Sequence, residues 1–433
     1  MVDRIQRYQL NRLKRLVSYA YQNVPLYRRK YDAAGVKPGD IRTLEDFQRL
    51  PLLTKSELQA GFPSEILSRR VNPDHCYIVS TSGQSGSPVK LYRRKIELSI
   101  LPALYLLAYP WIPSLVRFLT GVNAGRKTTL ILPEDESYDL YRAVKSLSGI
   151  PLRLRNKYQY IATEADPADQ LKAISEHRPD VIASDLTALR NMVTFAQNKG
   201  LPIPPAKLLF IGSELIDSHA RAQLNEAFGA RIIEHYGSEE AGTIAFECRQ
   251  GEGLHLVWRT NYLELLADER PAPAGTTGEV VVTNLMNRAT PIIRYSGMGD
   301  LATISPALCK CGRKSPLLKM IDGRKVDTFI LPDGRIIHPF NLTVPMEHIP
   351  NVWRYQIRQE QTALIRVLVT INNHCEAPAI EDLAEMRRRI RSGLHEILGE
   401  EVLIEVDVVD DIPAPSGARA KAKPVISLVE RPV

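Results

Sequence analysis

At 433 residues, 44% of them hydrophobic and 24% charged, the chain can bury a full core and divide into two or more domains, which excludes a disordered or collagen-like polymer. No run approaches the roughly 20 uninterrupted apolar residues of a membrane span. The net charge of +7, from 56 Lys+Arg against 49 Asp+Glu spread along the length, comes with no aromatic-interleaved basic face, so nucleic acid is not the expected partner and a small anionic ligand suits it better.

The opening "MVDRIQRYQLNRLKRLVSYAYQ" is charged and helix-periodic where a secretion signal would be apolar, so a cytoplasmic location is expected. Five unevenly placed cysteines do not make a disulfide framework and leave metal ligation or burial as their uses. Up to about residue 60 the pattern is helical, punctuated by Pro and Gly, with Thr54 placed to cap a short helix. From 128 to 235 strand-like runs alternate with helices: "TTLIL", a helix over 137–147, a helix over 166–177 before "DVIAS", one over 186–199 before "KLLFIG", and one over 217–228 before "RIIEHYG". That alternation predicts βαβ units and a largely parallel sheet whose functional loops lie at strand ends. The span 254–304 reads as strands and turns, a β-rich subdomain. Beyond "IDGRKVD" the texture changes again, to two strands over 352–371, an amphipathic helix over 380–398 with Leu383, Met386, Ile390, Leu394 and Ile397 on one face, a strand over 402–409 and a basic tail "SGARAKAKPVI". The fold class is therefore α/β: a large N-terminal domain with βαβ-type sheets and a β-rich subdomain, followed by a small α+β C-terminal domain.

Four clusters carry chemistry. "STSGQSGSP" lacks the Gly-Lys-Ser/Thr pairing of a P-loop, yet its glycine turn exposes N–H groups beside the hydroxyls of Ser80, Thr81, Ser82, Ser85 and Ser87; it is either a phosphate cradle or a solvent loop. "EHYGSEEAG" places an aromatic face and two carboxylates at a strand's C-terminal end, where they suit a ligand crevice and a magnesium-type cation, or else form a polar turn capping a helix. In "PIIRYSGMGDLA", Asp300 follows a glycine turn and either accepts from a ribose diol or closes an Asx turn. Cys248, His255, Cys309 and Cys311 make a Cys₃His set suited to structural zinc, the alternative being buried free thiols beside an unrelated histidine.

With "GRKVD" at 323–327 and a basic terminal segment, these motifs occur in an order that resembles the adenylate-forming superfamily, specifically its phenylacetate-CoA ligase-like branch, which also holds capsule-biosynthesis relatives. The resemblance runs nearly end to end. "TSGQSGSP" is similar to that family's phosphate loop, "YGSEE" to its Tyr-Gly-x-Ser/Thr-Glu, "PIIRYSGMGD" to its Arg-Tyr…Asp segment, "GRKVD" with "LPDGRIIHP" to its hinge, and "AKAKPVIS" to its terminal lysine segment. It implies a large ATP- and acyl-binding domain over 1–323 and a mobile domain over 324–433 carrying the catalytic lysine. It also implies that Thr81, Ser82, Gly83, Ser85 and Gly86 wrap the phosphates of ATP and that Gly212, Ser213 and Glu214 line the acyl and adenine pocket. By the same resemblance Tyr236, with Gly237, Ser238 and Glu239, meets adenine, Glu240 binds Mg²⁺, Asp300 and Arg324 hold the ribose, and Lys421 bridges carboxylate and α-phosphate, with Lys423 the rival for that role. The zinc set gains from similarly placed Cys and His residues in some members. The implied activity is conversion of a carboxylic acid to its acyl-adenylate with release of pyrophosphate, then transfer to CoA. An amine or an acyl carrier protein is the alternative acceptor, and a homodimer is held open. Glu239, Val326 and Ala420 depart from the family pattern and motivate the remaining alternative, a nucleotide-binding scaffold without turnover.

Overall fold

In a computed structural model, residues 2–81, 88–95, 97, 127–135, 158–212, 214, 216–346, 349, 352–371, 380–412 and 423–429 are described. The helix expected over 137–147 lies outside them.

The chain opens with four helices, α1 (Val2–Asn23), α2 (Pro25–Ala33), α3 (Leu44–Gln48) and α4 (Lys55–Gly61). Pro25 opens α2, where its missing N–H costs no helix bond. Thr54 caps α4 as its sequence suggests: its hydroxyl accepts from Glu57 N, and Glu57 Oε2 accepts from Thr54 N at 2.8 Å. An antiparallel hairpin follows, β1 (Cys76–Ser80) and β2 (Lys90–Arg94).

The alternating region forms β3 (Thr128–Leu132), β4 (Tyr158–Ala162), α5 (Pro167–His177), β5 (Val181–Asp185), α6 (Leu186–Asn198), β6 (Leu208–Gly212), α7 (Ser218–Phe228) and β7 (Arg231–Ser238). Its strands are parallel in the spatial order β4-β3-β5-β6-β7. Asp166, Asp185 and Asp217 start the three helices by accepting a first-turn N–H, and Gly229 at φ 59° ends α7.

At β7 the direction changes. β8 (Gly242–Glu247), β9 (Leu254–Leu256), β10 (Asn261–Ala267), β11 (Arg270–Pro271), β12 (Thr277–Asn284), β13 (Ile292–Tyr295), β14 (Asp300–Ile304) and β15 (Leu317–Arg324) pair antiparallel. They continue the same sheet, which runs β11-β10-β12-β14-β15-β9-β8-β7-β6-β5-β3-β4 with β13 on β12. The β-rich subdomain is thus no separate sheet but the antiparallel continuation of the parallel half.

Residues after Arg324 build a second sheet: β16 (Phe329–Ile330), β17 (Ile336–Ile337), α8 (Pro339–Thr343), β18 (Val352–Gln361), β19 (Leu364–Ile371), α9 (Ile380–Leu398), β20 (Leu403–Val408) and β21 (Val425–Ser427), with the order β20-β19-β18-β21 and β16-β17 apart. Part of the segment read as a basic tail is therefore strand. β21 pairs parallel with β18, and Ile357 N donates to Pro424 O at 2.8 Å.

Among the described residues three large apolar cores result. α1–α4 pack on the antiparallel strands, α5–α7 on the parallel ones, and α9 lays Met386, Ile390 and Leu394 on the small sheet. Trp353, on β18, is the exception: it belongs to the core of α6 and α7. Its carbonyl accepts from Arg190 Nη2 (2.6 Å) and Gln223 Nε2 (2.8 Å), and its indole donates to Thr194 Oγ1 (2.8 Å). Tyr355, two residues on, donates to Asp217 Oδ2 at 2.6 Å. Burial lowers the pKa of Arg190, and Asp217 opposes that shift.

Removing this hydroxyl should loosen the seam. Tyr355→Phe is expected to cost about 1–2 kcal/mol, read as faster limited proteolysis within 323–328 while the far-ultraviolet circular dichroism stays unchanged. Cleavage at the wild-type rate would mean that the bond contributes nothing to the seam.

Candidate active site

β1 and β2 hold together the two chain ends that flank residues 82–87. Thr81 N donates to Val89 O (3.0 Å) and Val89 N to Thr81 Oγ1 (2.9 Å), so the hydroxyl of Thr81 closes the hairpin. Ser82, Gly83, Ser85 and Gly86 lie outside the described residues, as do Ser213 and Lys421.

The aromatic-acid motif differs from its sequence reading. Tyr236, Gly237 and Ser238 are strand, with an irregularity between Tyr236 and Gly237, and the turn is Glu239–Ala241, leading into β8 rather than a helix. Gly237 is obligatory here, since a Cβ would come within 2.6 Å of Gly242 O. Ser238 Oγ accepts from Ala241 N at 3.2 Å and so folds the turn.

Tyr236, Asp300 and Arg324 come together although 88 residues separate the first from the last. Tyr236 Oη donates to Asp300 Oδ2 at 2.8 Å, and Arg324 Nε lies 3.6 Å from Asp300 Oδ1. Register explains the pair, because Asp300 on β14 stands directly opposite Arg324 on β15. Burial, and then the Asp300 charge, raise the Tyr236 pKa and keep the phenol protonated as a donor.

Glu240 is 5% exposed. Its Oε1 accepts from Tyr295 Oη at 3.1 Å, and Arg93 Nη2 donates to the carbonyls of Glu239 (2.6 Å) and Glu240 (3.3 Å). Tyr295 sits in "PIIRYSGMGDLA" and Arg93 on β2, and neither carries a role in the sequence reading. The Tyr295 pKa is raised by burial and then by Glu240. Tyr295 is aimed by Arg294, one of the few non-glycine residues with positive φ (49°), whose guanidinium grips buried Glu264 at 2.9 Å.

At the end of β6, a Cβ on Gly212 would meet His235 Nδ1 at 2.7 Å. Glu214 Oε2 accepts from Thr187 N (2.9 Å) and Thr187 Oγ1 (3.0 Å), tying this turn to the start of α6. His235 lies between Phe210 and Phe246, each 5.3 Å away, with Nε2 2.8 Å from Thr243 Oγ1. Burial pushes its pKa down to about 4.

In the boundary segment, Val326 is half exposed, whereas buried Asp327 accepts from Lys423 Nζ at 2.9 and 2.8 Å. Lys423 is thus held at the boundary.

Cys248 after β8, His255 in β9, and Cys309 and Cys311 between β14 and β15 converge, with all four donor atoms within 4.8 Å of one another. Cys248 Sγ lies 3.5 Å from Cys309 Sγ, and Cys311 Sγ 3.2 Å from His255 Nε2. Tetrahedral Zn–S bonds of about 2.3 Å place sulfurs about 3.8 Å apart, close to this spacing. His255 Nδ1 meets Ser315 Oγ at 2.9 Å, which leaves Nε2 for a metal. Burial, and then the charge of Arg313, hold the imidazole neutral down to about 4.

No family model matches the chain. It is 26% identical over 420 residues to a phenylacetate-coenzyme A ligase of Thermus thermophilus, covering 94% of this chain and 86% of that one. It is 24% identical over 432 residues to the phenylacetate-coenzyme A ligase of Escherichia coli, covering 96% and 94%. Among solved structures, it superposes with TM-score 0.81 and 21% identity on a 2-hydroxyisobutyryl-CoA ligase in the postadenylation state, in complex with R3-HIB-AMP, over 98% of this chain and 90% of that one.

A histidine whose folded pKa is depressed contributes stability that is present above its ordinary value of 6.5 and is lost as pH falls towards about 4. Melting temperature should therefore drop over that window, and His235→Gln should flatten the drop. Parallel pH profiles for variant and wild type would show that His235 is already charged in the fold.

Proposed function

Because the chain belongs to the adenylate-forming superfamily, in its phenylacetate-CoA ligase-like branch, we propose that it converts a carboxylic acid and ATP into an acyl-adenylate and pyrophosphate, then transfers the acyl group to CoA. The observation that carries this reading is the pair of networks built around β7 and the turn that follows it: Tyr236–Asp300–Arg324 and Arg93–Glu240–Tyr295.

In this reading the ring of Tyr236 stacks on adenine, its plane set by the bond to Asp300, while Asp300 and Arg324 take the ribose. The hairpin-rooted clasp, from Thr81 through Gly86, donates N–H and hydroxyl groups to the β- and γ-phosphates. Glu240 would hold Mg²⁺, which supplies charge neutralisation on the departing pyrophosphate. The substrate carboxylate oxygen attacks the α-phosphorus and the bond to the β-phosphate breaks. Two anions meet in that step, so a cation at the reacting oxygens stabilises it, the role assigned to Lys421. The engagement of Lys423 with Asp327 supports Lys421 over Lys423. The CoA thiol then attacks the acyl carbon and AMP leaves with the bonding pair. Gly212, Ser213 and Glu214, after β6, would line the acyl and adenine pocket.

The Cys₃His set fits a structural zinc ion. It would pin the start of β9 to the loop before β15, across which Leu317 pairs with His255.

A screen of aryl, fatty and amino acids, with and without CoA, should give acid-dependent pyrophosphate release and CoA-dependent consumption of the adenylate. Lys421→Ala should reduce adenylate formation by about a hundredfold or more, and Glu240→Gln should raise the Mg²⁺ requirement. Consumption speeded by an amine or a carrier protein instead of CoA would move the reading to the amide-forming or carrier-loading alternative. Equal inactivity of wild type and Lys421→Ala, with ATP still bound, would leave the scaffold. For the zinc site, metal analysis of protein purified without chelator should find about one zinc per chain; less than about 0.2 would remove the site.

A further inference from the structure

The turn from β7 into β8 is closely held. All three carbonyls of Glu239–Ala241 accept from side chains, those of Glu239 and Glu240 from Arg93 and that of Ala241 from Asn284 Nδ2 at 2.7 Å. Asn284 begins the 284–290 segment, which joins β12 to β13 and folds as two successive Asx turns. Asn284 Oδ1 accepts from Met286 N (2.8 Å) and Asn287 N (2.9 Å); Asn287 Oδ1 accepts from Ala289 N (3.0 Å) and Thr290 N (3.3 Å).

Both side-chain amides face outward from their own turns. While Asn284 reaches the acid turn, Asn287 Nδ2 donates to Tyr92 O at 3.2 Å, and Thr290 Oγ1 accepts from Tyr92 N at 3.0 Å. Tyr92 lies on the hairpin that roots the clasp. The chain leaving this segment runs through β13 to Tyr295, the donor to Glu240. Asn284, Asn287 and Thr290 are 3%, 1% and 0% exposed. One short buried element thus sets the β1–β2 hairpin, the acid turn and the phenol on Glu240 relative to one another.

We propose that Asn284 and Asn287 are positioning residues for adenylate formation. They set the spacing between the phosphate clasp and Glu240 without touching substrate, and the acceptor step does not depend on them. This rests on the adenylation reading above. A purely local structural asparagine would need only its Oδ1, which closes the turn. The role assigned here belongs to Nδ2, which spans to another part of the site.

Aspartate separates the two. Asn284→Asp and Asn287→Asp keep the acceptor oxygen of each turn but set an oxygen against the carbonyl of Ala241 or Tyr92. Asn287→Ser, whose hydroxyl still closes a turn but is too short to span, serves where the aspartate variant does not fold. In the full chain, ATP–pyrophosphate exchange with acid present should show an ATP KM raised about tenfold or more, while CoA-dependent consumption of chemically prepared acyl-adenylate stays within about twofold of wild type. Ile174→Ala, a cavity variant in the core of α5, should lose thermal stability and keep both half-reactions. Exchange at the wild-type level, or a proportionate fall in both half-reactions, would overturn the proposal. If the wild type exchanges with no acid, the adenylation reading fails on its own, and thermal stabilisation by ATP–Mg²⁺ decides the positioning role. Weaker stabilisation of the asparagine variants would uphold that role, and equal stabilisation would overturn it.

Discussion

A sheet that reverses direction in its interior must provide partners for the backbone groups at the reversal, because an unpaired buried carbonyl costs as much as a lost hydrogen bond. Here the reversal is at β7, where parallel strands give way to antiparallel ones, and its turn is Glu239–Ala241. No neighbouring strand supplies the partners that these three carbonyls use. Arg93 comes from the hairpin and Asn284 from the end of β12, so distant segments are drawn to one place. Those same segments carry Thr81 and lead to Tyr295. Satisfying a structural obligation therefore assembles much of the candidate site.

Glu240 illustrates the consequence. A carboxylate 5% exposed needs a partner, and among the described residues the donor on its Oε1 is the phenol of Tyr295 rather than a cation. A phenol orients the carboxylate without pairing it with an opposite charge. Asp300 is treated differently, with Tyr236 as donor on one oxygen and Arg324 near the other. The two acids thus differ in local charge although both take a bond from a tyrosine. The Cys₃His set lies further along the same antiparallel strands, joining residues that bracket β9 and β15.

The small sheet has a core of its own, yet Trp353 leaves that core for the one between α6 and α7. Its docking partners are linked to the site through short chains of contact. Asp217, which accepts from Tyr355, caps α7 three residues after Glu214, and Glu214 holds the start of the helix that bears Arg190. Glu214 and the seam between the two sheets are therefore linked through the starts of α6 and α7. Any reorientation of the small sheet must break four polar contacts and expose an indole, a cost that favours discrete positions over continuous sliding.

Much of the architecture was legible in the sequence, because hydrophobic period and helix caps are local. The alternation over 166–235, the Thr54 cap and the apolar face of α9 all needed only neighbouring residues. Motif order marked Tyr236, Glu240 and Asp300, and residue type marked the Cys₃His set. The strand β21 was missed because three residues after a basic run have no period of their own, and pairing with β18 makes them a strand. Nor could sequence show that the β-rich region continues the parallel sheet, that Lys423 meets Asp327, or that Arg93, Asn284 and Asn287 serve the acid turn. Local sequence pattern thus set most of the helices and strands and the residue types available for chemistry. Which buried polar group answers which was settled in three dimensions, since a side chain's partner depends on the proximity of strands tens to hundreds of residues apart.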